Sequence, residues 1–423
     1  MSSVFYLRLR RSWGQLPLLL RGVILLLFVV VLAQLGILWH LRHRSQIRNK
    51  FSLREEVTYG KSVVPPVIER RAEKLVPHRN TRIFSPMETA TLHQPADDKL
   101  ESISEFRSLT ELCIANGKLT DQGLAQIRHL DELQSLYLDN IRFDGDALSG
   151  LPTCANLQRL KLVGQLTPEV LRPLQHCLAL TELHLDAGYY EHNDSGMLTK
   201  RLTGRHLDTV ARIPNLKRLV LCSNDLSDIE LGPLAAADQL EELFVNTVKL
   251  KGDALNALGQ LPGLKRLILE VTDASPQALQ HLAGFPALQT LGLRGASVRS
   301  IHLTPLRKLN RLETLCLERA DLRDSLEPLA QMRHLRSLNL FLAELPVDGL
   351  KQLERLDQLR ELCLGFNDEM SRLPGKVRDQ KYPNVANAES RFVDWNQRTE
   401  IPKWEGFTSS GGIGGGFAAM AGG

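Results

Sequence analysis

The sequence predicts an α/β solenoid, a right-handed βα horseshoe of about 11 stacked units behind one N-terminal transmembrane helix. Three observations lead there. The pattern Leu-x-x-Leu-x-Leu recurs eleven times at a nearly fixed interval, with Ile or Val sometimes last. Leucine supplies 81 of 423 residues while Phe, Trp and Tyr together number 23, so the core is built from Leu and not from rings. An apolar run of 18 residues, Gly22–Trp39, lies near the N-terminus.

Composition excludes several classes. Hydrophobic residues at 43% argue against intrinsic disorder, and six Cys spread over 423 residues argue against a disulfide scaffold. The net charge of +4 is unevenly placed: residues 1–100 carry 16 Lys+Arg against 7 Asp+Glu, and the remainder carries 36 against 41. The basic excess belongs to the N-terminus, so by charge the body is no nucleic-acid binder.

Residues 1–15 form a short basic tail and 16–41 a transmembrane helix of the signal-anchor kind. At about 1.5 Å per residue, Gly22–Trp39 spans roughly 27 Å, close to a hydrocarbon core of about 30 Å. Gln34 is its only strongly polar side chain, and Trp13 and Trp39 sit where interfacial aromatics belong. A cleaved signal peptide is the competing reading, because Val31-Leu32-Ala33 loosely fits a cleavage site. The apolar run continues past that point to Leu41, which favours an uncleaved anchor. The basic flanks nearly match, so orientation rests on a short tail preceding a large body. That arrangement puts the tail inside and the repeats on the extracytoplasmic side.

Residues 42–104 read as a polar linker and N-terminal cap. The repeats then begin at Leu109, Leu133, Leu157, Leu180, Leu216, Leu240, Leu264, Leu288, Leu312, Leu335 and Leu359, spaced 23 or 24 residues apart with one interval of 36. In Leu-x-Leu the alternation puts both leucines on one face of a short strand. A second set, such as Leu124/Ile127/Leu130 and Leu279/Leu282/Phe285, recurs at helical spacing and closes the opposite wall. One unit cannot bury its leucines alone, whereas stacking makes a continuous core. Pro173, Pro233, Pro305 and Pro328 each precede the next repeat's first Leu by seven residues, so these convex segments must be short or 3₁₀-like. Thr120 or Asp121 is placed to cap one of them.

Segments such as LTELCIANGKLTDQGLAQI and LKRLVLCSNDLSDIELGPL resemble the leucine-rich repeat family over residues 105–370. They look most like the 24-residue "TDxGL" repeats of bacterial membrane-anchored proteins, matched best by Thr120–Leu124. The resemblance implies a binding horseshoe with its strands on the concave side. One departure concerns the ninth repeat position, where the family usually buries an Asn. Here it is Asn only at Asn224 and Asn367, and elsewhere residues such as Ile141, Ala320 and Ala343 stand there.

Candidate binding residues lie on outward strand positions. Val220, Phe244 and Ile268 share a column in three consecutive repeats, with Tyr137, His184 and Phe341 along or beside it and Arg294 completing the set. Neighbours of this kind resemble the exposed anchors of an interface; the competing reading is that they pack on each other or under a loop. Charges there alternate in sign between strands, as in Lys217/Arg218, Glu241/Glu242 and Lys265/Arg266, which is unsuited to a phosphate backbone. The long interval marks an insertion at 187–204, rich in Gly, whose Tyr189 and Tyr190 join the candidate surface. Cys154 and Cys177 read as members of a core column in adjacent repeats, where a disulfide is also conceivable. No Cys/His set has zinc-ligand spacing, so no metal or other cofactor is expected. Residues 371–405 suggest a C-terminal cap. The Gly-rich tail 406–423 reads as flexible and lacks the Lys-Ser/Thr of a phosphate loop.

The expectation is a non-enzymatic, single-pass membrane protein with a monomeric repeat domain that binds a protein or peptide through its concave sheet. The alternatives are the targeting arm of an enzyme-recruiting effector and a glycan- or ligand-binding surface receptor. A catalytic role lacks a nucleophile–base pair at fixed spacing, and the flanks are small and polar.

Overall fold

A computed structural model describes residues 56–59 and 87–364, apart from 118, 143–146, 188–201, 224–225, 248–249, 251–252, 271–275, 295–297 and 347–348. The apolar segment at 16–41, the cap at 371–405 and the tail at 406–423 lie outside the described residues, as do Tyr189 and Tyr190 with most of the insertion. Among the described residues, no helix is long and apolar enough to cross a membrane.

The strands form one 13-stranded sheet in which spatial order equals chain order. β1 (Glu56–Tyr59) pairs antiparallel with β2 (Met87–His93). From β2 onward every neighbouring pair is parallel: β3 (Glu111–Ala115), β4 (Ser135–Arg142), β5 (Arg159–Gln165), β6 (Glu182–Asp186), β7 (Arg218–Cys222) and β8 (Glu242–Asn246) come first. β9 (Arg266–Glu270), β10 (Thr290–Arg294), β11 (Thr314–Cys316), β12 (Ser337–Leu340) and β13 (Glu361–Leu364) complete it. The fold is an α/β solenoid on a parallel sheet.

Register follows the leucine lattice. Leu112, Leu136, Leu160, Leu183, Leu219 and Leu243 stand opposite one another from strand to strand, and each is at most 1% exposed. Two strands precede Leu109. β2 carries Ala90 and Leu92 at the inward positions, paired with Leu112 and Ile114, so the stack starts before the leucine pattern does. The reason is that a single buried Leu with alternation suffices where the helix Asp97–Ile103 supplies Leu100 and Ile103 from the opposite wall.

The convex side is assembled from short helical pieces. Pro173, Pro233 and Pro305 lie in 3₁₀ segments, and Pro328 sits in the first turn of the four-residue helix Glu327–Ala330. All four positions avoid the steric and hydrogen-bond cost of proline inside an α-helix. Thr120 caps the helix Asp121–Ala125, its Oγ1 accepting from the Gly123 amide at 3.3 Å. Thr120 Oγ1 donates in turn to Asp97 at 2.6 Å, and a Cβ on Gly123 would collide with that carboxylate. The glycine is therefore a packing requirement between adjacent turns. At the ninth position, Ile141, Ala320 and Ala343 are buried, so apolar contact replaces the Asn there.

Candidate interaction surface

Between the inward leucines, one residue per strand points to the concave face. The register aligns Cys113, Tyr137, Lys161 and His184 across β3–β6. It then aligns Val220, Phe244 and Ile268 across β7–β9. Five of the anticipated binding residues, Tyr137, His184, Val220, Phe244 and Ile268, thus fall in a single file. Arg294 lies in the flanking file, paired with Glu318 at 3.3 Å, and Phe341 follows β12 partly buried.

These side chains do not form the exposed patch that outward strand positions suggest. Tyr137, Phe244 and Ile268 are each 7% exposed, and His184 and Val220 3%. The cause is geometric. Strands about 4.8 Å apart bring branched and aromatic side chains into contact with each other, and Arg218, Glu242 and Arg266 border them on one side. Val220, Phe244 and Ile268 make their own apolar cluster with Cys222 against it. The Arg218 guanidinium lies over the Phe244 ring at 5.1 Å from its centroid. Gly292, next in file, leaves room for Ile268, whose Cγ atoms would stand 3.1 Å from an added Cβ.

The flanking charges pair as the alternating signs require. Glu241 bridges Lys217 at 3.3 Å and Lys265 at 2.6 Å, and Glu242 sits between Arg218 at 3.1 Å and Arg266 at 3.9 Å. Such partly exposed pairs contribute little net stability, and their chief effect is to leave the face locally neutral.

The file from β3 to β6 has a different chemistry. Lys161 extends its ammonium over the Tyr137 ring, 4.7 Å from the centroid, with Asp139 and Asp186 nearby. Burial holds the Lys161 ammonium below its ordinary value, with Asp186 opposing the shift. Burial likewise raises Asp139 and depresses His184 well below the usual imidazole range, Lys161 and Arg218 adding to the latter. Cys222 Sγ stands 3.7 Å from His184 Nε2, and the Asp186 carboxylate completes a trio within 4.8 Å. Linear spacing concealed this trio because the insertion separates β6 from β7 in sequence while the sheet makes them neighbours. Repeat-aligned positions 5 and 7 of one unit and 7 of the next would have revealed it. As a nucleophile the thiol is poorly placed: burial pushes Cys222 far up and His184 down, so the pair is neutral, not thiolate and imidazolium.

All six cysteines are free. Cys154 and Cys177 are core residues, 4% exposed each, whose thiols burial raises to about 11 and about 12.

No family model matches this chain. No curated protein matches it. Among solved structures it is similar to an internalin (inlF) from Listeria monocytogenes, at 16% identity, covering 71% of this chain and 88% of that one, with a TM-score of 0.41. Internalin C2 from the same organism gives 19%, 51%, 83% and 0.36. Likeness at that level carries no argument, so the fold stands on the strand register of this chain itself.

Proposed function

We propose that this chain is a non-enzymatic binding module that takes a protein or peptide along its concave sheet. One observation carries the reading. An unbroken run of parallel strands carries paired charges of both signs at outward positions, alongside an apolar file, Val220–Phe244–Ile268, that is itself largely buried. Mixed and neutralised charge suits a polypeptide and opposes a polyanion, which calls for one sign. Attachment to the membrane through residues 16–41, with the repeats on the extracytoplasmic side, is part of the same proposal and rests on the apolar run.

The test is a photo-cross-linking amino acid placed at Phe244 in membranes, with Ile229, 87% exposed on the convex side, as control. Specific capture from Phe244 is expected. Equal capture from both positions would sink the concave site. Protease digestion of sealed vesicles, with and without detergent, checks the side of the membrane.

A further inference from the structure

We propose that His184, Asp186 and Cys222 form a site for one divalent transition-metal ion of the zinc class, opening onto the concave face between β6 and β7. The site is independent of any protein partner. Its three donors are an imidazole nitrogen, a carboxylate oxygen and a sulfur, all within 4.8 Å of one another. Tetrahedral zinc with bonds of about 2.0–2.3 Å sets its donors roughly 3.3–3.8 Å apart. The His184 Nε2 to Cys222 Sγ separation of 3.7 Å already lies in that range. Asp186, partly exposed at the end of β6, supplies the carboxylate from the rim of the site.

A second observation points to a ligand. His184 is 3% exposed, yet among the described residues its Nδ1 has no hydrogen-bond partner and its Nε2 meets the thiol alone. His206, equally buried, shows what a structural histidine does here: its Nδ1 accepts from the Thr203 amide at 3.0 Å and its Nε2 meets the Leu166 carbonyl at 3.1 Å. A metal at Nε2 replaces that weak thiol contact with a coordinate bond, while Nδ1 points away from the ion and carries the ring N–H.

Charge is compatible. Metal binding converts the Cys222 thiol to thiolate and releases its proton to solvent, so affinity rises with pH. Lys161 faces the same ground from β5, and Asp139 remains as its counter-charge when Asp186 turns to the metal. The nitrogen and sulfur donors select zinc or cobalt over magnesium or calcium. Three protein donors leave a fourth position, reached from the concave face past the partly exposed Asp186 and Cys222.

The test is titration of the reduced, purified full-length chain with Co²⁺. The expected result is one ion per chain, with thiolate-to-cobalt charge-transfer absorption that equimolar Zn²⁺ displaces. Cys222→Ser should abolish that band and Asp186→Asn should weaken binding by about tenfold or more, whereas Cys316→Ser, buried elsewhere in the sheet, leaves it unchanged. Absence of the band, or its survival in Cys222→Ser, overturns the proposal. A variant-free measurement guards against misfolding: Zn²⁺ should slow alkylation of Cys222 in the unmodified chain while leaving Cys363, also partly buried, at its original rate. Equal rates at Cys222 with and without Zn²⁺ overturn it as well.

Discussion

The concave file changes character at the junction of β6 and β7, where the one long interval between repeats falls. Before it stand Tyr137, Lys161 and His184 with Asp139 and Asp186 beside them; after it stand Val220, Phe244 and Ile268. Inward leucines stand opposite one another on both sides, and the register is regular apart from a shift at Asp139/Ile141. In the first half burial works against the charged form of every group that it shifts: Lys161 and His184 fall, Asp139 rises. In the second half the same depth favours apolar contact. The leucine lattice therefore supplies a uniform frame, and the file carries the chemistry.

The largest expected effect tests whether the second half is a true extension of the core. Phe244→Ala should lower unfolding free energy by about 3 kcal/mol, as for a buried ring, and reduce partner capture with it. Urea denaturation measures the first. A loss below roughly 1 kcal/mol, the scale of an ordinary surface change, would mean that the ring is only a lid on the sheet and that the two halves differ less than their exposures imply.

The next effect belongs to the first half. His184 in the folded chain holds its proton less tightly than the unfolded chain does, at a value of about 6.5. As pH falls below that, the unfolded state takes up a proton that the folded state refuses, so stability declines with falling pH. The slope is up to about 1.4 kcal/mol per pH unit until the buried imidazole itself titrates. His206 is shifted in the same direction, so the informative quantity is the difference between the chain and His184→Gln, measured with a chelator present. The variant should lose part of the decline between about pH 6.5 and 5.5; parallel profiles would show that His184 protonates as freely folded as unfolded.

How far the sequence could carry this picture is visible in particular residues. The 24-residue recurrence of Leu placed every strand from β3 to β13, because an inward Leu pair leaves a periodic trace. It left β1 and β2 unmarked, since Ala90 and Leu92 bury enough against Leu100 without repeating the motif. It brought Tyr137, His184, Val220, Phe244 and Ile268 into one file but left open whether they stand exposed or pack on each other, since depth depends on neighbours across strands. The His184–Asp186–Cys222 trio escaped altogether, because a metal-ligand spacing within one segment is a local signal and adjacency across an inserted loop is not. The alternating charges of Lys217, Glu241 and Lys265 were legible, being a consequence of register alone.

The smallest expected effect sharpens the contrast at the strand ends. At the eighth position of some repeats the backbone turns left-handed: the first two place Asn116 (φ 55°) and Asn140 (φ 50°) there, whereas Ala187, Ser223 and Thr247 at the same position of middle repeats do not adopt that conformation. The two Asn side chains also meet, Asn140 Nδ2 donating to Asn116 Oδ1 at 2.7 Å. Later repeats place Arg319 (φ 60°) and Leu342 (φ 55°) there, residues for which that conformation costs roughly 1–2 kcal/mol. Leu342 is 44% exposed and so gains little from burial in return. Leu342→Asn should accordingly raise stability by about 0.5–1 kcal/mol. Asn140→Leu should lower it by at least as much, because it adds the steric cost and removes the amide bond together. Should Leu342→Asn destabilise instead, its side chain packs against something that the later repeats need, and the two halves would differ in their turns for a reason other than backbone strain.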